Sequence, residues 1–269
     1  MSVLAATLER AGSGIDRYGL RGFATRATRR GLRPVLAPLA GRRLRAAGER
    51  APDLETLVDI PFSLAPFGVE LPCGQVRAEV LGLLEAVATE RPRPRRLLEI
   101  GTAGGGTLFL LALAADRAAT IVSVDLPRGE FGGGYPAWKI PLYRGFVRRT
   151  QRLQLIRGDS HAPETLARTR AALRGEPLDF LLIDGDHTYD GVRRDFDDYG
   201  PLVRPGGLIA FHDIAQPGEL RPGGARLLGG EVPRLWQELR GRYETRELVA
   251  SPDGFFGIGL LRVPATGLS

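Results

Sequence analysis

The sequence contains very little cysteine and lysine, and it has no long apolar run. Cys73 is the single cysteine among 269 residues, which excludes an intramolecular disulfide and a cysteine metal cluster and is typical of a reducing compartment. The longest uninterrupted apolar run, residues 108–115, is far too short to cross a bilayer. The first residues also lack the basic segment that opens a signal peptide. We therefore expect a soluble, cytoplasmic protein without a transmembrane segment.

Positive charge is concentrated at the N-terminus. The net charge is +6, but residues 1–50 hold eleven arginines and three acidic residues, which leaves a balance of −2 for the rest of the chain. We predict that residues 1–72 form a basic helical extension followed, from residue 51, by an irregular linker. The extension is a candidate for a subunit contact in a homo-oligomer, which we favour over contact with an anionic surface. Its arginines are not interleaved with aromatic residues, so nucleic acid is not an expected partner.

Short apolar segments alternate with helical segments after residue 72. Buried-strand patterns cover residues 97–100, 121–124, 153–157, 180–183 and 208–211. Helical patterns cover residues 75–89, 107–115, 163–173 and 232–242, and a Pro-Asp-Gly turn separates residues 244–250 from 255–263. This order predicts one α/β domain over residues 73–269. Its sheet is expected to be doubly wound, mostly parallel and seven-stranded, with an antiparallel C-terminal hairpin.

Residues 178–214 predict a β-α-β unit in which each strand is followed by acidic residues and a histidine. Asp184, Asp186 and His187 follow the first strand, and His212 and Asp213 follow the second. A right-handed crossover places the ends of two parallel strands at the same edge of the sheet. We therefore expect these side chains to converge where open α/β sheets bind their ligands.

A glycine-rich turn follows the first predicted strand, between Glu99 and Thr107. Glycines at such a turn let the backbone approach a ligand closely before a helix begins. Ala103 occupies the place of the second glycine in the dinucleotide fingerprint, and Thr107 occupies the place of the P-loop lysine, so neither motif fits. The pattern that fits is acidic-x-Gly-x-x-x-Gly, which begins at Glu99 and places its glycines at Gly101 and Gly105.

With this turn and its acidic strand ends, residues 75–263 resemble the class I S-adenosylmethionine-dependent methyltransferases, which have a Rossmann-like fold. The resemblance implies S-adenosylmethionine as cofactor, with the turn around its methionine and ribose. Asp125 matches the acid that binds the ribose hydroxyls, and Asp159 with Ser160 matches the adenine position. Each acid, taken alone, could instead cap a helix. The implied cofactor-binding residues are Glu99, Gly101, Thr102, Ala103, Gly105, Thr107, Asp125, Leu126, Asp159, Ser160 and Asp184.

The sequence Ile-Asp-Gly-Asp-His-x-Tyr, followed by Pro-Gly-Gly and His-Asp, is similar to bacterial metal-assisted O-methyltransferases that act on sugars and small molecules. The resemblance implies that Asp184 and Asp213 hold a divalent metal, with His212 in place of an acid or amide. Because Mg²⁺ prefers oxygen ligands, Mg²⁺, Mn²⁺ and no metal stay open as alternatives. His187 matches the general base of the sugar-methylating relatives, and an imidazole ordinarily titrates near neutral pH, which suits that role. Asp184 is the second implied catalytic residue.

The loop of residues 126–138 is long, glycine-rich and contains aromatic residues. Loops of this length are commonly functional, so we predict either a lid in which Tyr135 and Trp138 contact the substrate or a subunit contact.

The predicted function is methyl transfer to a hydroxyl group of a small acceptor, such as a sugar or a secondary metabolite. Two alternatives are a metal-independent N-methyltransferase and a non-catalytic scaffold that keeps the cofactor fold.

Overall fold

Seven strands form one sheet in the computed structural model, which describes residues 31–129, 133–215, 230–250 and 256–268. In chain order they are β1 Arg96–Ile100, β2 Thr120–Asp125, β3 Arg152–Arg157, β4 Leu178–Ile183, β5 Val203–His212, β6 Glu244–Leu248 and β7 Ile258–Arg262. Their order across the sheet is β3-β2-β1-β4-β5-β7-β6. Strands β1 to β5 are parallel, and β7 is antiparallel to β5 and β6. The predicted fold class is confirmed.

Helices cover both faces of the sheet. In the described residues they are α1 (31–50), α2 Leu54–Ser63, α3 Arg77–Thr89, α4 Gly106–Ala114, α5 Ile140–Phe146, α6 Pro163–Leu173, α7 Tyr189–Tyr199 and α8 Val232–Arg240. Successive strand residues point to opposite faces, so Leu97 packs with α1 to α5 whereas Leu98 packs with α6 to α8. No helix in these ranges is long and apolar enough to cross a membrane.

The prediction of an irregular linker over residues 51–72 is wrong for its first half, because α2 forms there. The Asp53 side chain accepts a hydrogen bond from the backbone N of Thr56 at 2.8 Å and caps the helix. Leu57, Val58 and Ile60 are buried at helical spacing, and their burial outweighs the hydrogen bond lost at Pro61. The helix ends at Ser63, soon after this proline.

Helix α1 packs closely on α5, which the sequence did not predict. A Cβ atom on Gly41 would lie 2.3 Å from the carbonyl oxygen of Leu142, so the two backbones nearly touch. Ala37, Ala40 and Leu44 of α1 are fully buried in the same core as α4. Residues 31–50 are thus helical, whereas residues 1–30 lie outside the described ranges. The domain boundary at residue 72 stays a prediction.

Candidate functional site

A cleft of about 360 Å³ lies at the carboxyl ends of β1 to β4. Because these strands are parallel and neighbouring, the segments that follow them meet at one edge of the sheet. Seven of the predicted cofactor-binding residues line the cleft, namely Gly101, Ala103, Asp125, Leu126, Asp159, Ser160 and Asp184. The sequence therefore located the cleft, although the roles of these residues stay predictions.

The glycine loop, residues 101–106, forms one wall of the cleft under tight steric limits. Gly101 has a φ of 91°, and a Cβ there would lie 1.8 Å from the carbonyl oxygen of Asp184. Gly105 has a φ of 88° and caps α4, and a Cβ there would lie 2.4 Å from the ring of Tyr143. Only glycine avoids both the strained dihedral and the collision at these two positions.

The carboxylate of Asp125, at the end of β2, is held between two loops. Its Oδ1 accepts a hydrogen bond from the backbone N of Ala103 at 3.1 Å, and its Oδ2 accepts one from the backbone N of Tyr135 at 2.7 Å. A carboxylate has about four acceptor positions, so two lone pairs are left for a ligand in the cleft. Asp125 thus fixes the glycine loop against the segment that begins at residue 133.

Four of the predicted cofactor-binding residues lie behind the cleft instead of lining it: Glu99, Thr102, Gly105 and Thr107. Glu99 is 1% exposed, and its Oε2 accepts a hydrogen bond from the Thr102 hydroxyl at 2.7 Å. Burial raises the pKa of Glu99 to about 8, so this acid is neutral near pH 7. Its position behind the loop supports the turn and does not present a charge to the cleft.

Four side chains after β4 and at the end of β5 form an acid–histidine cluster: Asp184, His187, His212 and Asp213. His212 Nδ1 lies 3.0 Å from Asp184 Oδ1 and 3.2 Å from Asp213 Oδ1. His187 Nδ1 lies 3.0 Å from Asp213 Oδ2, and its Nε2 lies 3.4 Å from Asp184 Oδ1. The predicted convergence of the two strand ends is therefore observed.

The acid–histidine cluster holds two positive and two negative charges. Burial alone would lower the pKa of His187, but hydrogen bonds to Asp184 and Asp213 outweigh it and raise that pKa to about 10. Burial likewise disfavours the charged form of His212, yet attraction to Asp184 raises its pKa to about 10. Although burial disfavours their ionisation, the two histidines hold the pKa values of Asp184 and Asp213 below their ordinary range. Near pH 7 both imidazoles are therefore protonated.

The structure places Asp186 differently from the other acids of the β-α-β unit. Its Oδ1 accepts a hydrogen bond from the backbone N of Thr188 at 2.9 Å. Thr188 is the N-cap of α7, and its hydroxyl accepts from the backbone N of Gly191 at 3.1 Å. Asp186 lines the cleft, but it also orders the turn into the helix and takes no part in the acid–histidine cluster.

Gln75 contacts the acid–histidine cluster, a role that no sequence pattern indicated. Its Nε2 donates a hydrogen bond to Asp184 Oδ2 at 2.8 Å. The side chain is 7% exposed, and its Oε1 is buried with no hydrogen-bond partner within the described part of the chain. A glutamine in the turn before a helix has no distinguishing sequence pattern, because the contact spans more than a hundred residues.

His161 and Asp195 form a second pair that sequence reasoning missed. His161 lines the cleft, and its Nε2 lies 3.3 Å from Asp195 Oδ1 and 3.1 Å from the carbonyl oxygen of Gly191. Asp195 is fully buried, and its hydrogen bond raises the pKa of His161 above its ordinary value. One signal existed: Asp195 shares the buried face of α7 with Val192, Phe196 and Tyr199.

The described residues contain no group of three or more His, Cys, Asp or Glu side chains arranged to hold a metal ion. The predicted ligands Asp184, His212 and Asp213 lie together, but their donor atoms face one another at 3.0–3.2 Å. Neighbouring ligands of a single divalent ion lie about equally far apart, and His212 Nδ1 and Asp213 Oδ1 are buried with no hydrogen-bond partner in the described part of the chain. The metal therefore stays a prediction.

The aromatic residues of the predicted lid do not both face the cleft. Tyr135 is 1% exposed and packs edge-to-face on Tyr143, with ring centroids 5.0 Å apart. The prediction that Tyr135 contacts the substrate is therefore wrong, because its ring belongs to the core. Trp138 is partly buried against the same core. Residues 130–132 of this loop lie outside the described ranges.

Known proteins resemble the central part of the chain. Residues 98–214 match the family model described as "Methyltransferase domain". The chain is 34% identical over 96 residues to demethylmacrocin O-methyltransferase of Streptomyces fradiae, covering 32% of this chain and 24% of that protein. It is 29% identical over 124 residues to an uncharacterized protein of Sinorhizobium fredii, covering 45% of this chain and 13% of that protein. The chain thus spans a quarter or less of the length of these relatives.

The fold is shared with a solved methyltransferase structure. The structure is MycE from the mycinamycin biosynthetic pathway, in complex with Mg, SAH and mycinamycin VI. It superposes with a TM-score of 0.51 at 21% identity, covering 82% of this chain and 57% of that one. At this identity the likeness shows the architecture of the sheet and its helices.

Proposed function

We propose that this chain, whose residues 98–214 match the methyltransferase domain model, transfers a methyl group from S-adenosylmethionine to a hydroxyl oxygen of a small acceptor. The observation that carries the proposal is the cleft in which Asp125, Asp159 and Asp184 meet beside the glycine loop. The Streptomyces fradiae relative is named as an O-methyltransferase, which favours oxygen over nitrogen as the methyl acceptor. A sugar or another secondary metabolite is the acceptor class we favour.

The cofactor is proposed to lie along the strand ends. The glycine loop lets the backbone approach its methionine portion. The free lone pairs of Asp125 accept the ribose hydroxyl protons, and Asp159 with Ser160 flanks the adenine. The structure supports this placement because all of these segments line the same cleft.

His187 is proposed to remove the hydroxyl proton as the acceptor oxygen attacks the sulfonium methyl group in line. Asp213, 3.0 Å from Nδ1, would stabilise the imidazolium that this transfer creates. Nε2 would have to turn from Asp184, which it contacts at the longer distance of 3.4 Å, toward the acceptor. The resting imidazolium must first lose its proton. The rate is therefore expected to rise with pH toward the pKa of about 10.

A divalent ion, Mg²⁺ or Mn²⁺, at Asp184, His212 and Asp213 is a separate hypothesis. When bound, such an ion would lower the pKa of an acceptor hydroxyl. The donor atoms contact one another at 3.0–3.2 Å, and we route no step through the ion. Turnover measured with each ion and with a chelator tests this hypothesis, and activity that survives chelation would argue against it.

The cellular compartment and the oligomeric state are proposed from the composition of the chain. The lone Cys73 favours the cytoplasm, and the arginine-rich residues 1–50 are proposed as a contact between subunits of a homo-oligomer. Size-exclusion chromatography with light scattering of the full chain, compared with a chain that begins at residue 31, tests that contact. A monomeric mass for the full chain would contradict it.

Calorimetric titration with S-adenosylmethionine and its demethylated product tests the cofactor, with NAD as control. We expect S-adenosylmethionine and S-adenosylhomocysteine to bind with micromolar affinity and NAD not to bind.

Transfer of labelled methyl groups to hydroxylated and amino acceptors then tests the reaction. His187→Gln is expected to abolish transfer to hydroxyls and to keep cofactor affinity. Methylation of amines alone would favour the N-methyltransferase, and binding without any transfer would favour the scaffold.

A further inference from the structure

A second concave surface lies away from the cleft, at the crossing of α1 and α5. The groove has a volume of about 620 Å³, and it shares no lining residue with the cleft described above. Pro38 and Gly145 contribute to its floor, because a Cβ on Gly145 would lie 2.9 Å from the carbonyl oxygen of Pro38. The close approach of the two backbones brings the long side chains of both helices to one place.

Four arginines line this groove, and no acidic residue does: Arg42, Arg45, Arg144 and Arg149. Arg45 donates one hydrogen bond, from Nη1 to the carbonyl oxygen of Val147 at 3.0 Å. Within the described residues none of the four forms an ion pair. The nearby acid Glu49 pairs instead with Arg148, at 3.7 Å, and Arg148 does not line the groove.

The groove differs from the rest of the surface in how its arginines are grouped. Some arginines elsewhere pair with carboxylates within 4.0 Å, such as Arg77, Arg204 and Arg262, and others, such as Arg168, form no ion pair within the described residues, but the groove brings four arginines to one concave surface. Like charges gathered in one concavity repel one another and strengthen the local positive potential. An anion in the groove would relieve that repulsion.

We propose that the groove between α1 and α5 binds a phosphate-bearing ligand. A guanidinium presents a planar fork of N–H donors that matches two phosphate oxygens at once. Arginines on both sides of the groove can therefore hold a phosphate or diphosphate group between them. A carboxylate ligand offers fewer acceptor oxygens and less charge for four guanidinium groups.

The phosphate group can come from a free metabolite or from a lipid headgroup. Leu32, Val35 and Leu39 are exposed on α1, within three turns of Arg42. Apolar side chains beside a cluster of cations are suited to the surface of an anionic membrane. The experiment therefore needs one arm for each source.

The test uses the full-length chain and its variant Arg144→Gln/Arg149→Gln. Arg168→Gln/Arg170→Gln is the matched control, because it removes the same charge from two exposed arginines of α6 that do not line the groove. Inorganic pyrophosphate is titrated by calorimetry, and vesicles of phosphatidylcholine with and without phosphatidic acid are tested by flotation. Binding of S-adenosylhomocysteine checks that both variants keep the cleft folded.

Saturable binding of pyrophosphate that weakens about tenfold or more in the groove variant alone supports a free phosphate ligand. Flotation with phosphatidic acid that only the groove variant loses, without pyrophosphate binding, supports the lipid headgroup. The proposal is overturned if neither probe binds, or if the groove and control variants bind equally. S-adenosylhomocysteine binding reports on the methyltransferase proposal separately.

Discussion

The glycine loop and the acid–histidine cluster meet at Asp184, yet different forces hold these two regions in place. The glycine loop is fixed by backbone geometry, since Gly101 leaves no room for a Cβ beside the carbonyl oxygen of that residue. The acid–histidine cluster is fixed by attraction between side chains, as in the 3.0 Å contact of His212 with the Asp184 carboxylate. Steric limits do not vary with pH, whereas attraction between titratable groups does. The cofactor side of the cleft should therefore tolerate changes of pH better than the opposite side up to about pH 8, where the buried Glu99 begins to ionise.

The strongest test of the steric side is Gly101→Ala. A Cβ would lie 1.8 Å from the backbone oxygen of Asp184, and neither backbone can move without breaking the sheet. We expect a loss of about 4 kcal/mol or more in the free energy of unfolding and no binding of S-adenosylhomocysteine, measured by denaturant unfolding and calorimetry.

Gly175→Ala is the control variant that introduces backbone strain without a steric clash of the added Cβ. Gly175 has a φ of 75° but no heavy atom within 4 Å of the added Cβ, so we expect a cost of about 1–2 kcal/mol. Equal losses in the two variants would show that the dihedral, and not the contact with Asp184, accounts for the loss of stability in Gly101→Ala.

The strongest test of the electrostatic side is Asp213→Asn. The substitution keeps the size of a side chain that is 1% exposed, and asparagine also tolerates the φ of 61° at this position. It leaves two buried histidines with one carboxylate, so we expect a loss of about 3 kcal/mol in unfolding free energy near neutral pH.

The control for this loss is Asp197→Asn, which breaks an exposed ion pair with Arg193. Such pairs contribute about 0.5 kcal/mol or less, and both variants are compared by urea unfolding. A loss at Asp213 as small as that at Asp197 would mean that the acid–histidine cluster contributes little to folding.

The difference between wild type and Asp213→Asn should depend on pH. The pKa values of His187 and His212 are raised from 6.5 to about 10, so their stabilising contribution is complete below about pH 6.5 and is lost as the pH rises toward 10. The free-energy gap between the two proteins should shrink across that range. A gap that grew with pH would contradict the protonated state of the imidazoles.

The sequence predicted the strand ends of the cleft more completely than the contacts within it. Asp125 and Asp184 follow apolar strands, and parallel strands bring such positions together whatever their side chains do. Gln75 and Asp195 reach the same region from a turn and from the middle of α7, and their contacts depend on packing. Helix α2 was not predicted because Pro61 lies within it, and a proline usually indicates a helix break. The Asp53 cap and three buried residues stabilise the helix nevertheless. The protonation of His187 depends on its distances to two acids, and these distances cannot be derived from the spacing of the residues along the chain.

Lys139→Met is expected to have the smallest effect and asks whether the glycine loop depends on charge as well. The Lys139 ammonium donates a hydrogen bond to the carbonyl oxygen of Gly104 at 2.9 Å, but burial lowers its pKa to about 8. Methionine loses the bond and also removes the cost of burying a cation, so the affinity for S-adenosylhomocysteine should change by about threefold or less. Tyr143→Phe, which removes a hydroxyl donating to the carbonyl oxygen of Ala103 at 3.1 Å, is the uncharged counterpart and should behave alike. If calorimetry showed a much larger loss of affinity for Lys139→Met alone, the charge of Lys139 would be needed to hold the glycine loop. The contrast between the glycine loop and the acid–histidine cluster would then fail.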